Sequence, residues 1–482
     1  MAESLKRKFF KGVIWKTIEK FFAQGASFII GIVLARLLSP SDYGLVGMLT
    51  IFMSISSQFI DGGLRNALVQ KKECTAVDYS TVFVCNVGMS IFIYIILFTC
   101  APLIADFYNQ PLLTDITRVS GLSFVIGAFN TVQGAMLSKS VNFKALAQIH
   151  IISTIVSGAV GIFLAYQGFG VWALVSQGIT GGLLGWFLYP MYSKWKMSFR
   201  FSFDSFKKLF GYGSKLMITG LVGTLMTNIS TMFIGKYYNS EQLGFYSKGA
   251  SLPHVIYGIA YSVLGSVSFP ILTSIQNDKE RMLSIYKRVL FTIAMVMFPF
   301  MTLLSVLSKP LIVVLYTEKW LPAAAFMQIW FLTRAITPLS AMNISMINAI
   351  GRSDLFMKMD FSKIPLTLIM LAITLPISPK AVVIGTFCTT LIAFFINAYL
   401  PGKIYGYTAW KQIKDWRYIF LSVIIMVMCM WPIVHYLNNS WLQLIFGGTV
   451  GVSTYLGCCL LFGIIKKEAL KEAFVKIRQR WK

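Results

Sequence analysis

Arg334 is the residue whose chemistry most needs an explanation. It lies about eleven residues into an apolar run starting near 323, roughly 16 Å deep if that run is a helix crossing a bilayer. A guanidinium at that depth costs at least about 2.5–3.5 kcal/mol and has to face a cavity or a partner. Arg36, Arg118, Lys215 and Lys248 stand closer to the ends of apolar runs, where snorkelling to the interface competes with binding of an anion. His254 follows Lys248 on one helical stripe. These six are the candidate cavity groups. The acids in the runs are few: Glu19 sits between Lys16 and Lys20, and Asp61 lies one turn from Arg65. Each either pairs with its basic neighbour or holds a coupling Na⁺ or proton.

Other chemistry finds no support. His150, His254 and His435 are scattered, and the seven cysteines lack C-x-x-C spacing, so no metal site and no bound cofactor is expected. There is no GxxxxGK[ST] loop to hold a nucleotide. The expectation is a protein that is not an enzyme.

The elements that must position these groups are apolar helices. The chain has 482 residues, 56% of them hydrophobic and 13% charged, against roughly a quarter charged in a soluble protein. The apolar runs are about twenty residues long, which suits spanning helices and not the alternating strands of a barrel. The fold class is therefore all-α and polytopic, with about fourteen spans. They are placed near 14–37, 43–63, 80–104, 115–137, 146–166, 170–191, 215–235, 250–272, 288–308, 323–349, 361–377, 381–400, 417–437 and 441–464. Polar stripes run along four of them. Span 1 carries Lys16, Lys20, Gln24, Ser27 and Gly31; span 2 carries Thr50, Ser54, Ser57 or Gln58, Asp61 and Arg65. Span 7 carries Lys215, Thr219, Gly223, Thr227, Asn228 and Thr231, and span 8 carries Lys248, Ser251, His254, Gly258 and Tyr261. Small and hydroxyl residues also serve helix packing, which explains Ser, Thr and Gly but not the charges.

The net charge of +25 sits mostly in short loops on one side, the pattern of membrane orientation and anionic-lipid contact and not of nucleic-acid binding. With the amino terminus in the cytoplasm, the basic residues on or near the far side are Arg36, Arg118, Lys236, Lys248, Lys309, Lys319 and Lys380. An even number of spans then places both termini in the cytoplasm. Residues 466–482 and 199–210 read as amphipathic helices lying on the inner leaflet.

The sequence also repeats. Ala35–Gly44 faces Gly235–Gly244, Pro102 and Tyr108 face Pro310 and Tyr316, Asn130 faces Asn343, and Pro190 faces Pro401. Spans 1–6 thus pair with 7–12 as two parallel six-helix lobes, 1–200 and 201–400. Residues 401–482 add two spans and a basic tail.

Several motifs resemble the polysaccharide-transporter (Wzx-type) branch of the multidrug/oligosaccharidyl-lipid/polysaccharide (MOP) flippases. They are Ala35–Gly44, Asp61-Gly62-Gly63-Leu64 with Ala67-Leu68-Val69-Gln70, and Ala135–Lys139 with Asn142-Phe143-Lys144. Gly168–Val175, Leu243–Lys248 and Glu318–Ala324 complete the set. The resemblance implies a flippase of the bacterial cytoplasmic membrane that moves undecaprenyl-pyrophosphate-linked oligosaccharide repeat units by alternating access. It implies a cationic cavity in which Arg or Lys holds the pyrophosphate, and the company of other polysaccharide-assembly proteins. The alternatives are a cation-coupled drug or small-solute exporter of the same fold and a membrane enzyme of envelope polysaccharide assembly.

Overall fold

Side chains that accept backbone hydrogen bonds fix where helices begin. Ser39 Oγ accepts from Asp42 N at 3.2 Å while Ser39 N donates to the Asp42 carboxylate at 2.9 Å, a reciprocal cap that starts a helix at Pro40. Thr75 and Asp78 repeat the device. Asn239, which faces Ser39 in the repeat, accepts from Gln242 N at 2.8 Å.

The computed structural model describes residues 22, 24–193, 195, 197–276 and 278–464. The first helices are α1 (Gln24–Leu37), α2 (Pro40–Asp61), α3 (Leu64–Gln70), α4 (Ala76–Tyr108), α5 (Leu113–Lys139), α6 (Phe143–Tyr166), α7 (Val171–Tyr192) and α8 (Phe203–Tyr237). Then follow α9 (Ser240–Ser274), α10 (Lys279–Val306), α11 (Ser308–Tyr316), α12 (Ala323–Ala349), α13 (Ser353–Thr374), α14 (Pro379–Tyr405), α15 (Ala409–Asp415), α16 (Arg417–Tyr436) and α17 (Ser440–Leu461). No strand occurs among the described residues. The chain is an all-α, polytopic membrane protein. Each predicted span coincides with a helix or, for the first, with its described part. Nine helices among the described residues are long and apolar enough to cross a membrane by themselves, and α5, α9, α12 and α13 are helical but more polar. Fourteen spans are compatible with this set.

One prediction changes. Residues 199–210 do not form a separate surface helix, because α8 runs unbroken from Phe203 to Tyr237. Ser202 caps its start, and no proline interrupts it. The tail at 466–482, like Lys16, Glu19 and Lys20, lies outside the described residues.

The chain divides into two compact units, Met1–Gly244 and Phe245–Lys482. In the first, α8 packs along α2 and α3, and the contact is backbone on backbone. A methyl group at Gly63 would overlap the Gly213 carbonyl, and one at Gly213 would press on Gly62. Farther along, a methyl group at Gly44 would overlap the Ser240 carbonyl, and one at Gly244 the Pro40 carbonyl. Ser41 and Ser240 hydroxyls bond across this crossing at 2.7 Å. Lipid supplies no hydrophobic drive for helix association, so close approach of small residues does the holding.

In the second unit the counterpart of Asn130 is the centre of a buried polar cluster. Gln412 Nε2 donates to Asn343 Oδ1 at 3.0 Å, and Tyr286 Oη donates to the same oxygen, tying α10, α12 and α15 together. Tyr108 and Tyr316, also repeat partners, are both buried.

Gly44→Ala is expected to destabilise the protein by about 1–3 kcal/mol through overpacking, whereas Gly25→Ala, where a methyl group meets no atom within 4 Å, is expected to be neutral. Thermal unfolding in detergent with unfolding followed by scattering-corrected fluorescence distinguishes them; equal melting temperatures would show that the crossing tolerates separation.

Candidate functional site

The polar stripes of α2 and α8 converge. With α5 and α7 they enclose a cavity of about 800 Å³ in the first unit. Its polar lining comprises Thr50, Ser54, Ser57 and Gln58 from α2, Ser120 and Ser123 from α5, and Thr224, Thr227 and Asn228 from α8. The three- and four-residue spacings place each set on one helical face. Among the described residues, Lys, Arg, Asp and Glu are absent from the lining.

The hydrogen bonds determine what this wall can offer. Thr50 Oγ1 donates to Val46 O at 3.1 Å, Thr227 Oγ1 to Gly223 O at 2.8 Å, and Ser123 Oγ to Ser120 O at 2.6 Å. Asn228 Nδ2 donates to Thr224 O at 2.9 Å. Each hydroxyl has spent its proton on its own helix, so its oxygen lone pairs remain as acceptors. The cavity therefore suits ligands rich in hydroxyl donors.

A second cavity of about 700 Å³ shares Ser57, Gln58, Ser123 and Phe124 with the first, and it adds Asp61, Arg65, Asn66, Thr131 and Ser138. Among the described residues of these two cavities, charge enters only here. Asp61 and Arg65 line the same opening, but no direct ion pair joins them among the described residues.

The predicted cations divide by position. In the second unit, Arg334 Nη2 donates to His254 Nε2, and the guanidinium carbon lies 4.8 Å from the ring centre of Tyr257 and 5.2 Å from that of Trp330. A guanidinium can only donate, so Nε2 is the acceptor and this imidazole carries its proton on Nδ1. The partner of Arg334 is thus a histidine and two aromatic faces; no carboxylate pairs with it among the described residues. Its Nε is buried without a hydrogen bond. Lys248, on the same helix as His254, is buried with Nζ 4.6 Å from the Tyr316 ring centre and 5.8 Å from that of Trp320.

Arg118 turns to α4. Its Nε donates to Phe98 O at 3.4 Å, and its guanidinium covers the Phe98 ring at 4.5 Å. Arg36 and Lys215 are exposed, and neither lines the large cavity. Glu19 falls outside the described residues, and Asp61 stands at the opening. Sequence reasoning missed the contribution of α5 and α7. Ser120 and Ser123 sit three residues apart, a signal indistinguishable in sequence from ordinary helix packing. Arg65 was placed on the span 2 stripe beside Asp61 but not among the candidate cavity groups.

In a background without the native cysteines, Ser123→Cys and Thr227→Cys are expected to react with a water-soluble methanethiosulfonate reagent. Thr117→Cys, at a fully buried position on α5, is expected to resist it. Mass spectrometry of the labelled protein reads the outcome, and uniform resistance would mean a cavity closed to water.

Comparison with known proteins places this geometry in context. A family model described as "Polysaccharide biosynthesis protein" matches residues 33–325. The teichuronic acid biosynthesis protein TuaB of Bacillus subtilis is 26% identical over 64% of this chain and 63% of its own. The lipopolysaccharide biosynthesis protein WzxC of Escherichia coli is 23% identical over 66% of this chain and 65% of its own. The chain thus matches slightly less than two thirds of the length of these two relatives. Among solved structures, the inward closed conformation of the lipid II flippase MurJ superposes with a TM-score of 0.72 at 18% identity, over 93% of this chain and 98% of that one. An inward-facing multidrug resistance MATE transporter of the MOP superfamily follows with 0.59 at 14%, over 82% and 97%. At such identities the structures share a fold, and that fold agrees with the Wzx-type resemblance read from the motifs. Since the matched stretch covers more than half of the sequence, the chain belongs to the polysaccharide biosynthesis protein family.

Proposed function

We propose that this protein is a flippase that carries lipid-linked oligosaccharide repeat units across the bacterial cytoplasmic membrane by alternating access. The observation that carries the reading is the uncharged, acceptor-rich cavity opening onto Arg65 and Asp61. A glycan presents many hydroxyl donors and needs acceptors, and a linking pyrophosphate needs a cation. The two demands are met by different walls of connected cavities. Family membership and the named relatives support the same substrate class. On this reading the undecaprenyl tail stays in the bilayer while the headgroup crosses.

The basic loops favour cytoplasmic termini. The chain acts as a transporter and not as a catalyst, alongside other proteins of polysaccharide assembly. Arg334 and Lys248 supply further positive charge in the second unit. Asp61, beside Ser57 and Gln58, is the group assigned to a coupling Na⁺ or proton. That carboxylate also favours one rival, a cation-coupled exporter of drugs on the same fold.

Gly223 separates the two. A methyl group added there meets no atom within 4 Å, so Gly223→Leu should fold and project into the cavity. Surface glycan formed per inserted protein is expected to drop at least about tenfold, the equivalent of ~1.4 kcal/mol. Unchanged glycan delivery combined with altered drug resistance would favour the rival. Arg334→Ala, properly inserted, is expected to slow delivery by a similar factor; a wild-type rate would remove Arg334 from the transport path.

A further inference from the structure

Four cations gather where α10, α15 and α16 meet, in the second unit. Lys287 and Arg288 come from α10, Lys414 from α15 and Arg417 from the start of α16. They line a groove of about 550 Å³ that also holds one carboxylate, Asp415. Asp415 is already engaged, because Tyr407 Oη donates to it at 2.7 Å. Burial, and then this carboxylate, push the Tyr407 phenol above its ordinary range, so it keeps its proton. The cations rest on aromatic faces: Lys287 Nζ lies 4.9 Å from the Tyr407 ring centre, and the Arg417 guanidinium lies 4.7 Å from that of Tyr418. No carboxylate forms an ion pair with any of the four among the described residues.

The helix that carries Lys414 is held in place by buried neighbours of the groove. Gln412, fully buried, anchors α15 through Asn343 and Tyr286, and Trp416 beside it is also buried. A preformed site costs little to order when a ligand arrives. Its place along the helices matters equally. Charge ends at Arg288 on α10 and Arg417 on α16, and apolar sequence follows directly on both. Leu421 and Ile424 on α16 are 42% and 51% exposed, a surface for hydrocarbon below the cations.

We infer that this groove binds the phosphodiester headgroup of an anionic phospholipid, with the acyl chains running along α16. The four cations supply charge complementarity, and the apolar strip beneath them selects a lipid over a free anion. The groove shares no lining residue with the acceptor-rich cavity and does not depend on what that cavity carries.

The test uses the purified full-length protein in detergent, with phosphatidylglycerol binding followed by native mass spectrometry. Phosphatidylglycerol is expected to bind at least about tenfold more tightly than phosphatidylcholine. The variant Lys287→Gln/Arg288→Gln/Lys414→Gln/Arg417→Gln should abolish that preference. A charge-matched control, Arg200→Gln/Lys207→Gln/Lys208→Gln/Lys358→Gln, should retain it. Equal loss in the control, or displacement of the lipid by inorganic phosphate or undecaprenyl pyrophosphate at matched concentration, overturns the inference. If the fourfold variant does not fold, a photoactivatable phosphatidylglycerol on the unaltered protein decides. Crosslinks within 284–291 and 407–424 support the site, and crosslinks confined to other segments overturn it.

Discussion

A hydroxyl or amide inside a membrane has to find a partner within the protein, and the arrangement of this molecule follows from that constraint. Thr50, Thr227, Ser123 and Asn228 meet it locally, each donating to a carbonyl of its own helix. That solution keeps the helices intact and needs no cross-helix bonding. It also leaves oxygens directed into a space that four helices cannot fill. The cavity is thus a by-product of how polar side chains are accommodated in helices that remain otherwise apolar.

Charge follows a different rule. A guanidinium cannot be satisfied by its own helix, so each of three cations inside the spans is met by a ring, an imidazole or a carbonyl. Arg334 has His254, Tyr257 and Trp330; Arg118 has Phe98 and its carbonyl; Lys248 has Tyr316 and Trp320. Aromatic faces attract cations without adding a compensating negative charge. The local positive potential survives, which a carboxylate partner would have cancelled. This distinguishes a region kept electropositive from one that is merely neutralised.

Much of the architecture was legible because the bilayer simplifies it. Apolar length reported the helices, and stripe spacing along α2 and α8 reported two walls of the cavity. The failures have physical causes. Arg118 and Arg334 are each the one arginine of a predicted span, yet one turns to α4 and the other joins a histidine, because rotamer and neighbour decide direction and neither is encoded locally. Ser120 and Ser123 were not singled out, because a serine facing a helix and a serine facing a cavity have the same spacing. The start of α8 was misjudged because its basic, Phe-rich opening turn has the composition of a surface helix. What extends it is the cap at Ser202 and close packing of Gly213 on the Gly62-Gly63 link between α2 and α3.

The crossing at Gly44 and Gly244 carries a consequence for how such a chain can change over time. Each glycine is shielded by the backbone beside the other, so neither position can acquire a side chain while its opposite stays fixed. Duplicated segments normally drift apart, because each copy accumulates changes independently. Here the two copies police one another through direct contact. The one identity between these two stretches, Gly44 with Gly244, therefore stands where the copies touch, held by contact and not by chance.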